Sequence, residues 1–148
     1  MNQVDILLVE DNEHEAQLTI RSLRKNNLAN RLLHINDGSE ALDFIFGRNK
    51  YEGNEVSAGL KLILLDLKLP KIDGLDILKN IKGDQRTKKI PVVVLTSSKE
   101  EQDIISSYKL GVNSYIVKPV SYESFSKAVS ELGMYWMMLN VPPTSKSV

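Results

Sequence analysis

The chain has 148 residues, 19 basic residues balanced by 19 acidic ones, and no cysteine. A domain of this length buries roughly 70% of the surface its unfolded chain exposes and needs no covalent staple. Without cysteine there is no disulfide framework, thiolate metal site or cysteine nucleophile. The balanced charge gives no electrostatic case for nucleic acid or an anionic membrane as partner. The first apolar run, Val4 to Val9, lacks a basic flank and is far shorter than the roughly 20 residues of a spanning helix, so a cytoplasmic protein is expected.

That first run is broken only by Asp5 and ends on Glu10-Asp11-Asn12, the pattern of a central strand with an acidic end. Ala16, Ile20 and Leu23 then recur at helical spacing, with Glu15, Arg21 and Lys25 between them, as far as Asn26-Asn27. They predict a first helix. Arg31 to Asn36 reads as a short second strand, and Asp37-Gly38-Ser39 turns into a helix carrying Ala41, Leu42, Ile45 and Phe46. Residues 47–59 are polar, contain three glycines and show neither period, so a surface insertion is expected there. Leu60 to Asp66 predicts a third strand ending on a single carboxylate. The turn Lys71-Ile72-Asp73-Gly74 leads into a third helix with Leu75, Leu78 and Ile81, closed by Gly83-Asp84.

Four consecutive apolar residues in Val92 to Thr96 predict a strand buried on both faces. Ser98 and Glu101 have capping-box spacing, placing a fourth helix from about Lys99 to Leu110, where Gly111 stops it. Ser114 to Val117 is the fifth strand, ending at Lys118-Pro119. Ser121 opens a last helix with Phe125, Val129, Leu132, Trp136 and Leu139 on one stripe. Residues 1–141 thus form one domain, and 142–148 read as a flexible tail. Alternating strands and helices predict an α/β fold: a doubly wound, five-stranded parallel sheet with helices on both faces.

In such a sheet Glu10, Asp11, Asp66, Thr96 and Lys118 share the carboxyl edge, where ligands gather. Two carboxylates about 4 Å apart repel by on the order of 4 kcal/mol at an effective dielectric of 20. A purely structural cluster would be a poor use of them. Oxygen ligands without His or Cys favour a hard cation, and beside a phosphate magnesium fits better than zinc. Carboxylate, metal, lysine and hydroxyl together equip the edge to form an aspartyl phosphate. Asp66 is the expected nucleophile, with Lys118 and Thr96 each taking a phosphoryl oxygen.

These residues carry a family resemblance: VEDN at 9–12, LLDLKLPKIDG at 64–74, VVVLTSS at 92–98 and YIVKP at 115–119. The chain resembles a response regulator receiver domain of two-component systems, over residues 4 to about 140. The resemblance implies the flavodoxin-like receiver fold and a phosphoryl group taken by Asp66 from a sensor histidine kinase. It further implies direct magnesium ligation by Asp11, Asp66 and the Lys68 carbonyl, with Glu10 acting largely through water. Thr96 and Tyr115 match the family's switch pair, and Lys118-Pro119 its lysine and cis peptide. The insertion, DLKLPKIDG and an aromatic C-terminal extension are similar to stand-alone receivers serving phytochrome-type kinases. The implied role is a single-domain signalling phosphoacceptor, not a turnover enzyme, that assists its own transfer and acts on a downstream protein through a switched surface.

Gly133 and the Met134-Tyr135-Trp136-Met137-Met138 segment are more apolar than one buried stripe requires. A homodimer through the fourth and fifth helices and the C-terminal helix is one expected use. The bland readings are a strand-end acid acting as a cap for Asp66, a solvated charge for Lys118, a β-former for Thr96 and a core aromatic for Tyr115. His14 and His34 read as bystanders, and Lys79, Lys82, Arg86, Lys88 and Lys89 as a solvated surface. Rival functions fit worse. An aspartyl-nucleophile hydrolase wants an acid two places on, where Lys68 stands; a nucleotide-binding turn wants glycines where Glu10-Asp11-Asn12-Glu13 would repel phosphate. The alternative that remains is a receiver-like adaptor that binds partners without phosphorylation.

Overall fold

The computed structural model describes residues 4–25, 27–28, 31–53, 59–118 and 122–141. Along the chain run β1 (Ile6–Val9), α1 (Glu13–Arg24), β2 (Leu32–Ile35), α2 (Gly38–Phe46), β3 (Leu62–Leu65), α3 (Gly74–Gly83), β4 (Val92–Thr96), α4 (Glu101–Lys109), β5 (Ser114–Val117) and α5 (Tyr122–Met134). The five strands pair in parallel in the order β2-β1-β3-β4-β5. The order reverses between β1 and β3, which opens a crevice at their carboxyl ends.

Strand alternation divides the apolar residues between two cores. Leu7, Val9, Ile63, Leu65, Val92 and Val94 pack with Ala41 and Ile45 of α2 and Ile77, Leu78 and Ile81 of α3. On the other face Ile6, Leu8, Leu62, Leu64, Val93 and Leu95 meet Ala16, Ile20 and Leu23 of α1 and Val129 of α5. With β1, β3 and β4 buried on both faces, their ends are held where the neighbouring strands put them.

Helix starts follow local chemistry. The Asn12, Asp37 and Asp73 side chains cap α1, α2 and α3 by accepting from Glu15, Ser39 and Leu75 N–H. The expected capping box of α4 does not form. Glu100 is the N-cap, without a side-chain hydrogen bond, and the helix starts at Glu101. The Ser98 hydroxyl donates to Asp103 Oδ2 at 2.6 Å and accepts the N–H of Glu100, the N-cap residue itself, at 3.4 Å, so its oxygen faces the turn before the helix.

The last helix also departs from a single stripe. After Met134 it widens into a π-helical turn, Tyr135–Leu139, closed by Asn140 N–H on the Tyr135 carbonyl. Gly133 sits where an added Cβ would lie 2.6 Å from Leu23 Cδ2 and 2.9 Å from Leu28 Cδ1, so its small size sets how closely α5 approaches α1. Within the insertion Asn49–Tyr51 forms a 3-10 turn, and the Tyr51 hydroxyl donates to Glu40 at 2.8 Å. The tail at 142–148, the Ser121 helix start and the Lys118-Pro119 peptide lie outside the described residues.

Candidate functional site

Each strand delivers its terminal residue to the same edge. Asp66 follows β3, and its N–H is held by the Val9 carbonyl of β1 at 3.1 Å. Lys118 follows β5 and donates its N–H to the Thr96 carbonyl at the end of β4, at 2.7 Å. Gly74 opens α3 directly beneath this point. A Cβ there would stand 2.5 Å from Leu67 Cα and 2.6 Å from the Asp66 carbonyl oxygen, so only glycine lets the helix pack under the Asp66 backbone.

The Lys118 ammonium is the centre of the cluster. It lies 2.5 Å from Glu10 Oε1, 3.0 Å from Glu15 Oε2 and 3.1 Å from Asp66 Oδ2. The side chains of Lys118, Glu10 and Asp66 are 6%, 3% and 7% exposed, that of Glu15 37%. Carboxylate oxygens of Glu10, Glu15 and Asp66 lie within 4.8 Å of one another. The Lys68 N–H donates to Asp66 Oδ1 at 3.1 Å, and the Asn12 N–H to Glu10 Oε2 at 3.2 Å.

Crowding divides the carboxyls. Burial pushes Glu10 up to about 8, with the Asp66 charge adding to the effect and Lys118 opposing it. Burial also acts to raise Asp66, but the Lys118 charge and hydrogen bonds from the Lys68 N–H, the Thr96 hydroxyl and protonated Glu10 outweigh it, so Asp66 stays ionised below the usual range. Lys118 loses stabilisation by burial, yet hydrogen bonding to Glu10 and the surrounding carboxylates hold it firmly charged. The edge thus favours an ionised Asp66 beside a Glu10 carboxyl pushed toward holding its proton. An oxygen-only donor set in which burial disfavours the charged form of one carboxyl suits a hard divalent cation.

Of the residues singled out in the sequence, Glu10, Asp66, Thr96 and Lys118 converge. Thr96 is fully buried. Asp11 is exposed and stands outside the three-carboxylate group. Tyr115 is half-buried, and its hydroxyl donates to the Ser98 carbonyl at 3.1 Å. The Lys68 ammonium reaches Asp103 of α4 at 3.3 Å.

Glu15 escapes sequence reasoning: along α1 it reads as a polar spacer, and only the sheet brings it beside Lys118. Lys82 also departs from a solvated surface. Its ammonium donates to the Lys88 and Ile90 carbonyls at 3.1 and 2.7 Å, and burial lowers it to about 8. His34 lies 2.8 Å from the Glu10 carbonyl oxygen, a backbone partner.

A parallel sheet in the order β2-β1-β3-β4-β5 with acid, hydroxyl and lysine at its switch edge defines a signalling receiver. The chain belongs to the response regulator receiver domain family, whose profile matches residues 6–130. It is 41% identical over 138 residues to FilR2 of Methanothrix harundinacea, named a probable methanogenesis regulatory protein, covering 93% of this chain and 86% of that one. It is 39% identical over 132 residues to the response regulator Rcp1 of Synechocystis sp., covering 89% and 88%. The solved Mn(2+)-bound form of Rcp1 superposes with a TM-score of 0.87 at 37% identity, over 97% of this chain and all of that one. The phosphorylated cyanobacterial phytochrome response regulator RcpA gives 0.88 at 35% identity, over 97% and 100%. No helix among the described residues is long and apolar enough to cross a membrane.

Proposed function

We propose that this receiver acts in the cytoplasm, takes a phosphoryl group on Asp66 from the phosphohistidine of a sensor histidine kinase and signals to a second protein through an altered surface. The observation that carries the reading is Asp66 itself: ionised at the switch edge, 3.1 Å from the Lys118 ammonium, with the Thr96 hydroxyl beside it. In the transfer an Asp66 carboxylate oxygen forms a bond to phosphorus as the P–N bond breaks, and the leaving imidazole keeps the electron pair. Lys118 and Thr96 each take one phosphoryl oxygen.

Glu10, Asp11, Asp66 and the Lys68 carbonyl are the residues proposed to hold magnesium. When bound, it would neutralise charge developing on the phosphoryl oxygens. Thr96, drawn toward the phosphoryl group, leaves space for Tyr115, which gives up its bond to Ser98. One such bond is worth about 0.5–1.5 kcal/mol, a cost that one charge-assisted contact can meet. The surface that changes is the α4–β5–α5 face.

The similarity to the phytochrome response regulator RcpA makes a phytochrome-type kinase the favoured donor. Exposed Met134 and Tyr135 support a homodimer contact through α4, α5 and the C-terminal turn. We assign 1–141 to the receiver, with its insertion at 47–59.

The test is labelling by an autophosphorylated histidine kinase, or by acetyl phosphate, with magnesium. Wild-type protein is expected to acquire base-labile phosphate and Asp66→Asn to acquire none. Equal labelling of the two would remove Asp66 from its role.

A further inference from the structure

We propose that Glu15 is a placeholder on Lys118: a positioning residue that occupies the ammonium hydrogen a phosphoryl oxygen takes, and so limits how tightly the phosphorylated state is held. The proposal rests on the assignment of Asp66 as phosphoacceptor. An ammonium has three N–H donors, and Glu10, Glu15 and Asp66 engage all three at 2.5, 3.0 and 3.1 Å. A phosphoryl oxygen gains a donor only when one acceptor lets go.

Exposure decides which. Glu10 and Asp66 side chains are 3% and 7% exposed, so freeing either strands a buried polar carboxyl group. Glu15, 37% exposed, passes into water at little cost. Its helix need not move. The Glu15 N–H stays on Asn12 Oδ1 at 2.9 Å while the side chain swings out. The Glu15 charge also opposes an arriving dianion, so both effects have the same sign.

The experiment compares wild type, Glu15→Gln and Asp66→Asn in binding beryllium trifluoride at saturating Mg2+, followed by fluorine NMR, with Mg2+ affinity measured separately by calorimetry. Glu15→Gln is expected to bind the phosphoryl mimic about two- to five-fold more tightly, the range of a partly exposed ion pair. The gap should shrink as salt is raised, a dependence that a merely structural role would not produce. Mg2+ affinity should fall only modestly, as removal of a nearby negative charge requires. Equal or weaker binding of the mimic overturns the proposal, as does a near-complete loss of Mg2+ binding, which would make Glu15 a metal ligand. Wild type that fails to bind the mimic, or Asp66→Asn that binds it equally, sinks the phosphoacceptor assignment and the placeholder with it. Binding that needs Asp66 but ignores Glu15 removes the placeholder alone.

Discussion

The carboxyl edge of the sheet and the outer surface of α4 and the C-terminal turn break the usual partition of side chains in opposite senses. At the edge, Lys118, Glu10 and Asp66 are charged or ionisable groups no more than 7% exposed. On the helices, Ile105, Tyr108, Met134 and Tyr135 are apolar or aromatic side chains between 40% and 53% exposed. Buried charge is relieved by an ion or a phosphoryl group, which are small. Exposed apolar area is relieved only by another macromolecule. Chemistry and read-out therefore need different surfaces, and hydrogen bonds run between them: the Ser98 N–H donates to the Thr96 hydroxyl at 3.4 Å, its carbonyl accepts from the Tyr115 hydroxyl and its own hydroxyl donates to Asp103 of α4.

The contrast is broken most forcefully at Lys118. Replacing it with Met leaves buried carboxylates without a countercharge, and a loss of about 3 kcal/mol is expected in denaturant unfolding without divalent cations. A loss near zero would mean that the carboxyls simply take up protons. A second comparison separates backbone from side-chain crowding. Gly74→Ala drives a Cβ into the Asp66–Leu67 backbone, whereas Gly133→Ala meets only the ends of Leu23 and Leu28. Gly74→Ala is expected to cost about 1–3 kcal/mol and Gly133→Ala less, with phosphoryl labelling impaired only in the former.

Acidity sharpens the edge further. Glu10 holds its proton to about pH 8 in the fold, against an ordinary glutamate value of 4.5, so the folded protein binds the extra proton between those values. Stability without metal is therefore expected to fall as pH rises through that window. Mg2+ favours ionised Glu10 and should flatten the slope, with a proton released on binding near neutral pH; thermal melts across pH and calorimetry in two buffers check both. A steeper slope with Mg2+ would contradict the site. The smallest stability effect belongs to the other region. Tyr135→Ser should change unfolding free energy by no more than about 0.5 kcal/mol while weakening self-association in sedimentation with beryllium trifluoride. A monomer at every concentration in both proteins removes the dimer.

Much of this was legible in the sequence because it is local. The branched run of β4, the Asp-Gly turns before α2 and α3 and the acid at the end of β3 each announce themselves within a few residues. Glu15 does not, because its meaning comes from Lys118, which only the parallel sheet brings alongside. Ser98 has the right spacing for a cap, but the helix starts later, and its oxygen meets the Glu100 N–H while its O–H goes to Asp103. Lys82 resembles its solvated neighbours in a basic stretch until α3 packs beside the turn that offers it two carbonyls. What escapes is in each case a partner chosen by tertiary geometry.

The central claim is the identity of the phosphorylated atom, and chemical mapping tests it most directly. Phosphorylated protein is reduced with borohydride, which converts an aspartyl phosphate to homoserine, and digested with trypsin. The expected result is homoserine at Asp66 in the peptide Leu62–Lys68 and unmodified Asp11 and Glu10. Conversion at another carboxylate, or intact Asp66 in fully labelled protein, would contradict it.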